Sequence, residues 1–410
     1  MKWLFIAHIL FITQYLSAKE IVVCKSCEIN DIQTALTKAQ NHDRILIKKG
    51  VYISKNIVIN KSIELIGEDY PIIDGEHKVQ VITVGISDVT IKGLIIKNSK
   101  SSYTDDIAGI KIENVHNVVV EDCRFYDNFW AVYLAKSDNC KIVNNIIRGS
   151  AKRETSSGNG IHLWNCKNAL IKNNKISGHR DGIYFEFVEN SSIIGNLSEK
   201  NIRYGLHFMF SHHNEYLENT FRANGAGVVV MYSKHIKMIG NHFEENWGPA
   251  ACGLLLKEIT DSFVSQNVFY KNTQGILAEN SDRIEFKENQ FIENGWAVKI
   301  GSSCLDDYFY HNNFIGNTFE VATNSTMNNS VFSENYWSDY KGYDLDRDGF
   351  GDIPHRPVRL FSYISEKYPQ VLILLRSLFV TMLDLTERYM PVFSPETLID
   401  KKPLIRKWIG

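Results

Sequence analysis

Proline is nearly missing from the middle of this chain. Of its 8 prolines, Pro249 alone falls between Ile72 and Ile353, and six follow Ile353. Proline cannot donate to a strand ladder, so its exclusion over about 280 residues is what an uninterrupted sheet requires. Net charge is equally slight: 45 Lys+Arg against 47 Asp+Glu leave −2. That excludes a global basic field holding the chain to nucleic acid or to an anionic membrane. Long apolar runs are lacking too. The runs near the two ends have about 14 and about 13 residues, too few to span a bilayer. Leucine-rich-repeat spacing (Leu-x-x-Leu-x-Leu) is absent, which disfavours a horseshoe. What abounds is Ile, 47 times, and Asn, 36 times. At 44% hydrophobic and 22% charged the chain has ample core material. Its 410 residues would suggest two or three domains at roughly 150 each. The proline-poor, Asn-rich stretch reads instead as one long repetitive object.

Residues 1–18 are set apart from the fold. Lys2 precedes an apolar run from Trp3 to Leu16, broken by His8 and Gln14 and followed by Ser17-Ala18-Lys19. This is the pattern of a secretory signal peptide cut after Ala18; a retained anchor is disfavoured by length. The mature chain is then expected outside the cytosol, where disulfides are permitted. Of 7 cysteines, Cys24 and Cys27 form a Cys-x-x-Cys followed by Glu28, not the histidine of a haem attachment site. A local disulfide, a soft-metal clamp and a pair of thiols all stay open. Cys123, Cys140, Cys166, Cys252 and Cys304 read as small buried hydrophobes.

A small residue followed by an aliphatic one recurs at Gly109, Ala131, Gly160, Gly182, Gly205, Gly227, Gly253, Gly275 and Ala297, at spacings of 22, 29, 22, 23, 22, 26, 22 and 22. An out-of-phase Asn series runs through 145, 174, 196, 219, 241, 267, 289, 313 and 335. Both series stretch at the same two places, so the period is 22 and the extra residues are insertions. Within each unit the pattern alternates, as in Gly109-Ile-Lys-Ile-Glu113 and Asn267-Val-Phe-Tyr-Lys-Asn272. Alternation marks short strands, and Gly and Asn supply left-handed turns. Three strands per turn give an all-β fold: a parallel β-helix of about ten coils over residues 19–340. Ile32 to Ala39 reads as an N-terminal capping helix started by Asn30 or Asp31. Ile45–Tyr52 and Ser62–Gly67 read as opening strands.

With Ile110 and Ile112 inward, the strand after each repeat glycine sends alternate residues outward. In the middle coils these are Tyr133, His162, Trp164, Tyr184, His207, Met209 and Met231, where a solvated face would be charged. An exposed face of this kind marks a partner or ligand site. Met209 and Met231 fall in register one coil apart, with His207 two residues from Met209. Thioether and imidazole form a soft set suited to Cu(I); a greasy partner surface is the plainer alternative. His213 and His235 align in the same coils. The insertions Arg148–Asn159 and Asn246–Cys252 precede this strand and bracket the region. His179-Arg180-Asp181 at the same corner could serve acid–base chemistry on an acidic sugar, or could be a polar turn.

Beyond the repeat, Asp344, Asp346, Asp348 and Gly349 match the first half of a Ca²⁺ loop within residues 341–355. His355 stands where that loop would end in Glu, and Asp352 could substitute. Residues 356–410 carry +4 while the rest carries −6. Val371–Leu375 and Leu378–Leu383, divided by Arg376, read as helix with an apolar face, followed by an extended end at Pro391, Pro395 and Pro403. This helical tail either caps the solenoid or docks on a membrane-bound partner through Leu378, Phe379 and Leu383.

The 22-residue repeat, the segment Asn335-Tyr-Trp-Ser-Asp-Tyr340 with Gly342-Tyr-Asp-Leu-Asp-Arg-Asp-Gly-Phe-Gly-Asp352, and Arg356-Pro-Val-Arg-Leu-Phe361 together resemble the periplasmic NosD family, accessory proteins of nitrous oxide reductase maturation. The resemblance covers nearly the whole mature chain. It implies a right-handed β-helix and a periplasmic protein peripheral to the cytoplasmic membrane, associated there with ABC transporter subunits. It also implies a part in supplying copper, or sulfur, to the reductase's copper centres, and it carries over no catalytic residues. On that implication the expected site is a transient Cu(I) site of His207, Met209 and Met231, filled by a copper chaperone and emptied by the reductase. Two alternatives stand beside it. One is a polysaccharide lyase or epimerase using His179, Arg180 and Asp181; the other is a scaffold gripping the reductase by Tyr133, His162, Trp164 and Tyr184.

Overall fold

The computed structural model describes residues 18–102, 104–325, 329–389 and 398–409. Nearly all of the expected signal peptide, and Pro391 and Pro395, lie outside the described residues. The chain winds as a right-handed parallel solenoid of about 14 turns. Each turn contributes one short strand to each of three sheets, in the order A, B, C. Sheet A has 14 strands, from Glu20–Val23 to Val331–Ser333. Sheet B has 13, from Val51–Ile53 to Tyr336–Trp337, and sheet C has 12, from Ile57–Ile59 to Phe319–Thr323. The expected ten coils undercount because the turns before Gly109 lack both repeat markers. The expected strand Ile45–Tyr52 is two strands, Arg44–Ile47 in sheet A and Val51–Ile53 in sheet B, parted by a corner.

Register stacks like residues on like, and the core changes character along the axis. In sheet A the inward column runs Ile45, Leu65, Ile91, Val120, Ile142, Ile171 and Ile193, then ends in Phe286, Phe309 and Phe332. In sheet B, Phe221, Phe243, Phe269, Phe291, Phe314 and Trp337 stack with centroids 4.1 to 5.6 Å apart. All six are buried. Each ring thus loses its water-facing area on both faces, and the spacing is set by the strand ladder.

The repeat glycines have a reason other than a left-handed turn. A Cβ on Gly160, Gly182, Gly205 or Gly227 would lie 2.4–2.6 Å from the carbonyl oxygen of the next coil's glycine. Close approach of backbones, not positive φ, selects glycine there. Positive φ falls instead on corner residues such as Asn117, Asn139, Asn168 and Asn190, the residue type that tolerates it best after glycine. The buried Asn ladder runs 145, 174, 196, 219, 241, 267, 289, 312, 335. Each side-chain amide donates to the next coil's Oδ1 at 2.9–3.0 Å. The rung is Asn312, not the expected Asn313, which pairs with the backbone of Trp408 at 2.9 and 3.1 Å. A second ladder, Asn201 through 224, 246, 272, 294 to 317, lines another corner.

Both ends are closed. Helix α1 (Ile32–Lys38) covers the first coils, its N-terminus capped by Asp31, whose carboxylate accepts from Thr34 N at 2.8 Å. Cys24 and Cys27 are disulfide-bonded, and the other five cysteines are buried thiols. At the far end the segment 398–409 pairs with the last coil, and Asp400 terminates the Asn ladder. Helix α2 (Leu360–Lys367) packs on the last strand of sheet C, and a 3-10 turn (Pro369–Leu374) leads to helix α3 (Leu378–Tyr389).

Candidate functional site

Sheet C carries three outward columns rather than the two that simple alternation gives. The ladder skips the small residue, Gly or Ala, at the start of each strand, so the residue before it also packs on the outer face. This corner column holds Trp130, Asp181, Tyr204 and Trp296. The middle column holds Tyr133, His162, Tyr184 and His207, register partners in successive coils. The third holds Trp164, Glu186, Met209 and Met231. The corner column was legible in the residues preceding the repeat glycines.

The two aromatic columns pack on one another and close much of the face. His162 sits 4.6 Å from Trp130, 5.2 Å from Tyr133 and 4.6 Å from Tyr184, ring centre to ring centre. Asn159, at the end of the first insertion, meets His162 Nδ1 at 3.1 Å. Tyr133 is buried with its hydroxyl on Asp106 at 3.1 Å. The expectation of an exposed stripe is therefore corrected for Tyr133 and His207, both under 5% exposed, while His162, Trp164, Tyr184, Met209 and Met231 are half-buried. Burial, with Arg180 and His207 nearby, pushes the His162 imidazole down to about 3. Burial and the neighbouring Glu186 and Asp181 push the Tyr184 hydroxyl up to about 12.

At the centre is a polar cluster with unmet demands. His207 lies edge-on between Tyr184 and Tyr204, at 5.0 and 5.1 Å. Its Nδ1 is 3.9 Å from the Asp181 carboxylate, which is fully buried and 3.4 Å from Arg180. Neither Asp181 oxygen and neither His207 nitrogen has a hydrogen-bond partner among the described residues. Buried polar groups are normally satisfied, so this cluster is built to receive something or to move. Along the same strands Met209 and Met231 are register partners, which puts their side chains about 4.8 Å apart at the base. Imidazole and paired thioethers, two residues apart on one strand, are the donor types that Cu(I) prefers, although the His207 Nδ1 faces Asp181.

Of the expected triad, Arg180 and Asp181 are together at 3.4 Å, but His179 is not brought to them. His179 takes a ladder position at the corner, its N–H donating to Asn201 Oδ1 at 3.1 Å, and it lines a separate cavity with Asp127 and Ser157. Burial pushes its imidazole down to about 4. Asp181 turns to His207 instead.

In the Asp-rich loop the carboxylates of Asp344, Asp346 and Asp348 lie within 4.8 Å of one another. Asp352 does not join them: its carboxylate accepts from Leu345 N at 2.8 Å and braces the loop. On the tail, Leu378 and Phe379 are 70% and 55% exposed, whereas Leu383 is partly buried toward Phe319, Phe361 and Val380. Among the described residues no helix is long and apolar enough to cross a membrane.

Residues 150–342 match the family model described as periplasmic copper-binding protein (NosD), and residues 14–158 match that of a right-handed β-helix region. A probable ABC transporter binding protein NosD from Pseudomonas aeruginosa is 28% identical over 90% of both chains. One from Stutzerimonas stutzeri is 26% identical over 92% of this chain and 89% of that one. Among solved structures, an alpha-1,3-glucanase catalytic domain superposes with a TM-score of 0.58 at 14% identity, covering 78% of this chain and 69% of that one. The Streptococcus pneumoniae surface adhesin PfbA gives 0.53 at 13%, covering 80% and 92%. At such identities these two show the shared fold alone. Likeness to two NosD proteins over about 90% of the chain, with the family's model matching the coils that hold His207, Met209 and Met231, makes the NosD family the one this chain is similar to.

Proposed function

We propose that this chain is an exported, periplasmic accessory protein that works with a membrane ABC transporter in supplying copper to the copper centres of nitrous oxide reductase. The observation that carries the reading is the register pair Met209 and Met231, with the orphaned His207 two residues from Met209. These are soft donors on a half-open face of an otherwise closed solenoid. Cargo metal held by two thioethers and one imidazole is bound firmly enough to be carried and loosely enough to be exchanged for stronger ligands. A copper chaperone would load the site and the reductase would empty it. The relatives' names, as ABC transporter binding proteins, support a transporter partner. Half-exposed Trp164, next to this site on the same face, suits contact with donor or acceptor protein, with His162 and Tyr184 behind it.

The Asp-rich loop has a separate part: Asp344, Asp346 and Asp348 would hold Ca²⁺ and fix the cap, with no role in copper exchange. The test of the main reading is Cu(I) binding by the mature chain under reducing conditions, compared with Met209→Leu combined with Met231→Leu. We expect one Cu(I) equivalent to be lost or weakened at least tenfold, with the fold unchanged. Unchanged stoichiometry and affinity would sink the site.

A further inference from the structure

The turn that follows each strand of sheet C ends on a residue in the left-handed conformation. In four consecutive coils that residue is Asn: 117, 139, 168 and 190. The next two coils abandon it for His213 and His235, each at φ 56°. Histidine gains nothing over asparagine in this backbone, since both are bulkier there than glycine and Asn tolerates it better. The substitution occurs in the two coils that carry Met209 and Met231 and in no other described coil of the series. Both imidazoles are exposed and stack with centroids 4.7 Å apart and planes 21° from parallel. Among the described residues neither ring has a hydrogen bond or ion pair, so both keep a free nitrogen. Glu189, one coil before, and Asp261, one coil after, flank the pair, held by Lys167 at 3.0 Å and Arg283 at 2.6 Å.

We infer that His213 and His235 form a second metal site, distinct from the thioether site, which takes a first-row divalent ion and holds Cu(II) most tightly. Metal–imidazole bonds of about 2.0–2.1 Å ask for ring nitrogens roughly 4 Å apart or less. From the stacked arrangement both rings must swing about their Cβ–Cγ bonds until their in-plane lone pairs converge, which exposed side chains do at no cost in buried contacts. Imidazole without thioether favours borderline divalent ions, and among these Cu(II) leads the affinity series. His212 stands apart: its Nδ1 accepts from Lys234 N at 3.3 Å, and it is half-buried.

The mature chain would be titrated with Cu(II) and, separately, Zn(II) under oxidising conditions and followed by calorimetry and electron paramagnetic resonance. The comparison is with His213→Asn, His235→Asn and the double variant. Asn is the residue four other coils use, so the turn is retained; circular dichroism and Tm check this. We expect superhyperfine splitting from two imidazole nitrogens in the unmodified chain. Each single variant should bind at least about tenfold more weakly, no less than the loss of an outer-shell partner costs. Met209→Leu with Met231→Leu should leave Cu(II) binding unchanged, which separates this site from the copper-exchange reading. Equal Cu(II) affinity and spectrum in the double variant, or fewer than two imidazole nitrogens in the unmodified chain, would overturn it.

Discussion

Asp307 stands where a serine hydroxyl stands in the preceding coils. Ser262 and Ser281 accept the N–H groups of Ile236 and Ile259; Asp307 accepts that of Ile284 at 2.9 Å. Its second oxygen is buried without a partner, and burial pushes the carboxyl up to about 7. Between pH 3.8 and 7 the folded chain therefore holds a proton that the unfolded chain has released. This group's contribution is full below 3.8 and falls as pH rises through 7. Asp307→Asn keeps the acceptor and removes the charge. We expect it to raise Tm at pH 8 and to change little at pH 4; an equal gain at both would refute the assignment. His162 works in the opposite sense. Its folded value of about 3 lies below the unfolded 6.5, so its contribution is lost as pH falls through that window. At this scale the sequence was legible for the Met pair and for the ladder as a pattern. It failed at Asn312 against Asn313, because two adjacent asparagines are alike until one sees which faces the core.

At the scale of elements, the solenoid depends on how its ends are closed. Asp400, fully buried, accepts from Asn335 N at 3.1 Å, Asn335 Nδ2 at 3.2 Å and Trp337 Nε1 at 3.0 Å. Asp400→Ala leaves two buried donors unpaired, Asn335 N–H and Trp337 Nε1–H, at about 1–3 kcal/mol each, since Asn335 Nδ2 still donates to Phe309 O at 2.9 Å and Ser333 O at 3.2 Å. The expected loss is about 3 kcal/mol or more in urea unfolding, with Asp400→Asn losing less; equal losses for both would show that the acceptor is not what matters. The Asp-rich loop is bolted to the same segment through Gly351 N to Pro403 O at 2.8 Å and Ile405 N to Gly349 O at 3.2 Å. Ca²⁺ there should raise Tm by several degrees over a chelator-treated sample, and Asp346→Asn should abolish the difference. A Tm indifferent to Ca²⁺ would count against the metal. The sequence offered capping and docking as alternatives for residues 356–410. The structure divides them: residues 398–409 cap, and helix α3 turns an apolar face outward.

That division decides how the whole molecule can be tested. Removing the tail would uncover the ladder end along with any docking surface, so truncation would confound the two. Leu378→Glu with Phe379→Glu alters the exposed face alone. Ile373 is 89% exposed and Met382 54%, and exposed apolar residues in number mark an interaction surface. We expect the variant to fold normally and to lose co-purification with the transporter's membrane subunits; retained capture would return α3 to a purely local role. Near neutrality of the chain, −2, is a cancellation between the −6 of the solenoid side and the +4 of the tail. The sequence by itself determined the solenoid, its 22-residue period and its insertions, because a one-dimensional stack repeats its physics every turn and writes it as spacing. Only the tertiary structure decided what the face of sheet C offers. The skipped small residue at the start of the strand turns Asp181 toward His207 and leaves His179 in the corner. Which columns close on one another depends on ring packing across coils, and that is not periodic.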